Sequence, residues 1–187
     1  MYYNKEFFIP NYAYVYVSSG GKLYSPIVRD NCNIIVSSGG FIDSASVYNN
    51  GIIILNSGAS AYSLMLNIDA VAYCWSGAFI DKAYLTTSIF NYNGHRGGYL
   101  LVEGTVASVT IEDTGNLTLR NNGVAEYTDI KEGGDLYLLD AGTASTTWVS
   151  SGGHVTILGG GIANDTVVSY GGKMTLSFGA FVSNIIV

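Results

Sequence analysis

Charge is scarce in this chain: Lys, Arg, Asp and Glu make up 12% of its 187 residues, against roughly 25% in a typical soluble domain. Eight basic residues stand against fourteen acidic ones, a net charge of −6. That excludes a basic stripe able to neutralise phosphates, and with it a nucleic-acid binder. No polybasic run addresses a membrane surface. Proline is almost absent, with two residues, and no apolar run approaches the ~18 residues of a membrane-spanning helix. The opening residues have neither a basic flank nor a long apolar stretch, so they do not read as a signal peptide. Two cysteines, Cys32 and Cys74, cannot build a disulfide framework. They fall at different phases of the repeat described below, which predicts two unpaired thiols, with Cys74 filling core space.

What is present points one way. Hydrophobic residues reach 48%, with 24 glycines and 15 tyrosines, a composition of many short strands turned at glycine corners. Four-residue corners of the Ser-Ser-Gly-Gly type begin at Ser18, Ser37, Asn56, Trp75, His95, Asp113, Lys131, Ser150 and Ser169. Successive starts are spaced 19, 19, 19, 20, 18, 18, 19 and 19 apart. Self-similarity at such a period is the mark of a solenoid.

Between corners, apolar residues return in columns. Leu23, Ile42, Ala61 and Ile80 form one, Val28, Val47, Leu66 and Leu85 another, and Val15, Ile34, Ile53 and Ala72 a third. In the second half the columns are Leu117, Leu136, Val155 and Met174; Leu119, Leu138, Ile157 and Leu176; and Ile111, Ile130, Val149, Val168 and Val187. Column residues alternate with polar or small ones, the period of a strand with one face inward. A ~19-residue return lays each strand over its equivalent at about 4.8 Å, so nine coils predict a parallel β-helix roughly 45 Å long.

A second corner recurs at Gly51, Ala70, Gly123, Gly142 and Gly161, giving two corners and two arms per coil. The longer arm follows one corner before mid-chain and the other corner after it. The change falls within residues 89–104 and predicts a new cross-section or a protruding loop. The organisation is one continuous all-β domain: an aromatic N-terminal cap at 1–13, a solenoid half at 14–88, an irregular junction at 89–104 and a second half at 105–187. The final segment, residues 181–187, breaks off in mid-pattern, as if cut from a longer chain or left to pair with a partner.

With the repeat in view, the segment from Gly142 to Gly153, GTASTTWVSSGG, followed by HVTILGGGIANDTVVSYGGKMTLSFGA, resembles the AIDA-type passenger repeats of bacterial autotransporter adhesins. The rhythm is G-x-A-x-x-T-x-V, a Gly-Gly corner and a short apolar strand. Ala107, Ala125, Ala144 and Ala163 are each followed three residues later by Thr110, Thr128, Thr147 and Thr166. The resemblance covers the second half of the chain. It implies a right-handed β-helix displayed at the cell surface or secreted, serving adhesion or aggregation, with sugars on Ser or Thr in some members.

Chemistry is sparse. Glu112 with Asp113, Glu126 with Asp129, and Asp135 with Asp140 are the only acidic pairs resembling a hydrolytic site, and none recurs in a column beside a base. His95 and His154 lack metal-ligand spacing; His95 with Arg96 in the irregular junction is the best polar candidate. Gly159–Asp165 is a single degenerate copy of a calcium-binding repeat, and a calcium roll needs many. The column Thr118, Thr156, Thr175 is broken by Tyr137, so it makes no ice-binding array. Trp75 and Trp148 could present aromatic faces to sugars, and Trp148 should point outward because Val149 belongs to an inward column.

The resulting expectation is an adhesin-type stalk needing no metal or cofactor. It would contact host or bacterial surface glycans or its own copies through Trp148, Trp75, His95 and Arg96. Neither nucleic-acid binding nor membrane insertion of this segment is expected. A carbohydrate-active β-helix enzyme with its site near the junction, and a purely structural spacer, are the alternatives.

Overall fold

The computed structural model of the chain describes residues 7–86 and 96–187, with side-chain detail from Ile9 onward. The described residues contain strands and turns and no helix. Every strand pairing is parallel, and the strands gather into two sheets that wind through successive coils. The first sheet is built from short arms: Tyr14–Val17, Asn33–Val36, Ile52–Leu55, Val71–Cys74, Tyr99–Val102, Asn116–Leu119, Asp135–Leu138, His154–Ile157 and Lys173–Leu176. Nine strands stacked in sequence order make a solenoid of about nine coils, as the repeat predicts. The second sheet takes the long arms, among them Ser60–Leu66, Phe79–Leu85, Thr105–Ile111, Val124–Ile130, Thr143–Val149 and Ile162–Val168. At the N-terminal end Phe7–Phe8 adds a two-residue strand beside Pro26–Val28, and Ile9 is fully buried.

Within a long arm the inward positions are spaced three and then two, as in Ala61, Leu64 and Leu66. A strand alternates strictly, so the three-residue step marks a bend where two neighbours, Tyr62 and Ser63, both face away from the core. In the first two long arms the bend is sharp enough to split the strand, at Ser25 (φ 47°) and Ser44 (φ 57°). Each coil therefore has three sides around one narrow core.

The columns read separately in the two halves are continuous. Leu85 pairs with Ile111, joining Val28, Val47 and Leu66 to Ile130, Val149 and Val168 in one buried ladder. Ile80 pairs with Val106, so Leu23, Ile42 and Ala61 continue into Ala125, Ala144 and Ala163. Ala107 and Thr110 fall one place out of this frame: the positions opposite Ala125 and Thr128 belong to Val106 and Val109. Cys32 and Cys74 are both free and fully buried in different columns, so Cys32 fills core space as well.

The predicted change of cross-section does not occur, because both sheets run through mid-chain without a break. What changes is the turn chemistry. In the first half the corner after the short arm has a single left-handed glycine, Gly20, Gly39, Gly58 or Gly77. The corner after the long arm holds two successive left-handed residues, Asp30–Asn31 and Asn49–Asn50. In the second half single-glycine turns sit after the long arm at Gly133, Gly152 and Gly171, and Asn121–Asn122 and Asp140–Ala141 turn the chain after the short arm, but Asp113–Thr114 still follows a long arm and Gly160 and Gly179 still follow short arms. Both turn types suit Gly, Asn and Asp, which tolerate positive φ.

The exchange of corners hides an insertion. Val71 pairs with Ile52 one ordinary repeat behind it, a separation of 19 (71 − 52), but with Tyr99 ahead of it, a separation of 28 (99 − 71). Nine extra residues therefore enter this coil. They fall between Thr86 and Gly98, which the Gly98 N–H bridges by donating to the Thr86 carbonyl at 3.3 Å. A protruding loop predicted there would lie in residues 87–95, outside the described residues. The next corner, Glu103–Gly104, is two residues shorter than its equivalents: three positions separate Val102 from Thr105, where five separate Cys74 from Phe79.

Two features of the core lead to measurable consequences. Thr128, Thr147 and Thr166 form a buried inward ladder alongside Ala125, Ala144 and Ala163, and among the described residues their hydroxyls have no hydrogen-bond partner. A buried hydroxyl without a partner costs about 1–3 kcal/mol, and an isosteric methyl removes that cost. Thr147→Val should therefore raise the melting temperature by roughly 2–4 °C; a fall would mean that the hydroxyl is satisfied in solution. Gly134 is fixed by close approach, since a Cβ there would stand 2.5 Å from the Ile111 carbonyl oxygen of the coil beneath. Gly134→Ala should cost about 1–3 kcal/mol by overpacking, read as a lower midpoint in a urea titration.

Candidate functional site

The outward positions of the short-arm sheet divide along the axis. Through the first five coils they are mostly apolar or aromatic: Tyr14 and Tyr16, Ile35, Ile52 and Ile54, Val71 and Tyr73, Tyr99 and Leu101. Beyond them they become Asn116 and Thr118, Asp135 and Tyr137, His154 and Thr156. The sequence signal for this division was available in the unbroken runs NIIV and IIIL, set against the alternating NLTL and HVTI.

Trp75 opens the corner that follows Val71–Cys74, and its ring stacks on Tyr73 at 5.4 Å between centroids and 6° between planes. This pair closes the edge of the short-arm face. Trp148 points outward from Thr143–Val149, 45% exposed beside the fully buried Val149, as the column phase predicts. It stands between Asp129 and Val167 on adjacent coils and lines a shallow groove of about 450 Å³ with Thr146, Asp165 and Asn184. Asn184 donates to the Asp165 carboxylate at 2.9 Å, fixing that wall.

Arg96 lies at the corner where the inserted residues rejoin the solenoid. Its backbone N–H donates to the Asp69 carboxylate at 3.1 Å, and its carbonyl accepts from the Asp69 N–H at 2.9 Å. The exposed Arg96 side chain borders a groove of about 660 Å³ that Asn50, Asp69, Tyr99, Asn116 and Asp135 also line. His95 falls outside the described residues. Arg96 and Trp75 stand at opposite ends of neighbouring short-arm strands, and Trp148 belongs to the other sheet, so the predicted contact residues do not converge. Asn50, Asp69 and Asn116 were missed by sequence reading, which weighed Asp135 only as one half of an acidic pair, although Asn31, Asn50 and Asp69 recur at the interval of the repeat.

Acidic residues are dispersed, and some are matched by a neighbouring base. Asp135 meets His154 at 3.3 Å, Glu112 meets Lys131 at 3.5 Å, and Glu103 accepts from Arg120 at 2.9 Å and from Asn121 at 2.7 Å. Asp135 and Asp140 occupy opposite ends of one arm, while Glu126 and Asp129 lie three residues apart across the mid-arm bend. Among the described residues no group of three potential metal ligands occurs.

These features define a class of protein: a parallel β-solenoid whose accessible surface is a set of shallow faces and grooves along the axis. Residues 94–153, 60 of the 187, match the family described as "Adhesin of bacterial autotransporter system, probable stalk". The resemblance read from the second-half repeat is borne out over that stretch, which begins upstream of Gly142 and ends at Gly153. Among solved structures, the chain is similar to the crystal structure of a TibC-catalysed, hyper-glycosylated TibA fragment. The TM-score is 0.50 at 22% identity, over 96% of this chain and 88% of that one, a likeness of fold. No curated protein sequence matches the chain significantly.

Burial pushes the Cys74 thiol up from 9.0 to about 12, against smaller opposing contributions from hydrogen bonds with the Thr105 and Gly104 backbone. Cys74 should thus be inert to a disulfide reagent at pH 8 in the folded chain and react once urea unfolds it. Between pH 9 and 12 the unfolded chain gives up a proton that the folded chain keeps. Stability must therefore fall as pH rises through that window, and Cys74→Ala should flatten the decline.

Proposed function

We propose that the chain is a stalk segment of a surface-displayed or secreted autotransporter adhesin, and that it acts by contact rather than by catalysis. The observation that carries this reading is the form of the surface. Grooves run along a rigid nine-coil ladder, and the acidic residues near them are spread over separate corners or matched by a neighbouring base. The stalk-family match over residues 94–153 and the fold shared with the TibA fragment support it. Surface glycans, or further copies of the chain, are the partners that such faces suit, with Trp148, the Tyr73–Trp75 pair and Arg96 as contact residues. Aromatic faces cover the apolar side of a sugar at low entropic cost.

Beads coated with the purified chain, incubated with bacterial and epithelial cells and with a polysaccharide panel, test the reading. Retention without released oligosaccharide is expected. Released product would move the protein to the carbohydrate-active β-helix enzymes, and failure to retain any cell or polysaccharide would leave only a spacer. Elution well above 19.9 kDa in gel filtration would assign the contact to self-association.

A further inference from the structure

The groove beside Trp148 lies on the outward face of consecutive long arms, Val124–Ile130, Thr143–Val149, Ile162–Val168 and Phe181–Ile186, all within the described residues. The three-then-two spacing turns Glu126, Tyr127 and Asp129 outward from the first of these arms. It does the same for Ser145, Thr146 and Trp148 in the second and for Asn164, Asp165 and Val167 in the third. Asp129 and Val167 are the rungs on either side of Trp148, each about 4.8 Å away along the axis. Three carboxylates thus share this face with one exposed indole, and none of these arms carries a Lys or Arg. Lys131, just beyond the first arm, is held by Glu112 at 3.5 Å.

We propose that this groove binds surface glycans through a sugar unit bearing a free, protonated amino group. The apolar face of the pyranose lies on the Trp148 ring, and its ammonium meets the Asp165 carboxylate, with Asp129 adding negative charge from the adjoining rung. The inference rests on the surface-contact reading above and gives one of its contact residues a ligand class.

Each part of the lining serves that ligand. The volume of about 450 Å³ is at the small end of the ~300–1,000 Å³ usual for ligand sites and suits about one or two sugar rings of a longer chain. An indole face attracts both the C–H face of a pyranose and a cation. Asp165 and Asn184 hold φ 50° and 52° at successive bends, and Asn184 donates to Asp165 Oδ1 at 2.9 Å. That bond orients the carboxylate and leaves its second oxygen to accept. An ammonium offers donors and no acceptor, the complement of a carboxylate. The Thr146 hydroxyl can serve a neighbouring sugar hydroxyl in either role. Val167, Ile185 and Ile186 form the remaining wall; their side chains give no oxygen to a hydrated metal ion, whereas an apolar sugar face can lie against them. Uronic and sialic acids meet repulsion here, on a chain of net charge −6, and an acetylated amine forfeits the attraction.

Isothermal titration at about pH 6 tests the inference with short glucosamine oligomers, N-acetylglucosamine oligomers of the same lengths, oligogalacturonates, and spermidine as a cation without a sugar. The free-amine series should bind at least ~10-fold tighter than the acetylated one, a difference of about 1.4 kcal/mol, and should weaken as salt is added. Oligogalacturonates should bind weakest. Trp148→Ala should weaken the free-amine series by a similar factor. Asp165→Asn should abolish the preference for the free amine while leaving the acetylated series as it was, and Asp129→Asn should reduce that preference several-fold. Tyr16→Ala, at a 66% exposed position in the other sheet, should change nothing, with melting curves confirming that each variant folds. Equal binding of the two series would overturn the amino-sugar site. So would spermidine binding as tightly as the free-amine series with no loss in Trp148→Ala. If no glucosamine oligomer binds while coated beads still retain cells, the inference falls and the contact reading stands. If neither oligomers nor cells are held, both readings fall.

Discussion

Each internal coil must return to its starting angle displaced by one hydrogen-bonding step, because its backbone donors and acceptors are committed to the coils above and below. That main-chain ladder sets the terms for everything else. A coil that came round a residue long or short within an arm would turn inward side chains outward and strand polar backbone groups. Freedom is therefore confined to corners and to outward positions. Ala, Leu, Val, Ile and Thr succeed one another within a single inward column because the ladder holds the backbone in place while side-chain volume varies from rung to rung.

Most of the fold was legible because of this constraint. A near-constant repeat length and alternating burial within each arm are enough to stack Ile34 on Ile53 and Leu117 on Leu136. The join between the halves was harder to read. The Ser-Gly corner moves from one edge of the solenoid to the other at the coil that also takes in extra residues, and the two shifts nearly cancel in the corner spacing. The repeat therefore looked intact but changed in shape, when the shape was constant and only some of the turns had changed places. Ala107 and Thr110 were misplaced by one position because they lie 18 residues before Ala125 and Thr128 (125 − 107 and 128 − 110), whereas these strands pair 19 residues apart, Val106 with Ala125 and Val109 with Thr128.

Surface features divide in the same way. Trp148 could be assigned outward from its buried neighbour alone, since adjacent residues of a strand face opposite sides. The stacking of Trp75 on Tyr73 and the grouping of Asn50, Asp69, Tyr99 and Asn116 could not be read so directly. Those residues are dispersed over coils whose register depends on the hidden insertion. Only after Val71 is set beside Tyr99 do they fall on one edge.

The nine-residue detour has a consequence of its own. Chain was added to one coil, yet the strands on either side remain paired rung for rung, so axial growth and lateral elaboration are separate operations in this architecture. Coils can be gained to extend reach without altering what is presented sideways. A corner can likewise be enlarged to present something new without shifting any other coil. Variation of a surface exposed to a changing environment can accumulate at such corners while the scaffold that carries them stays constant.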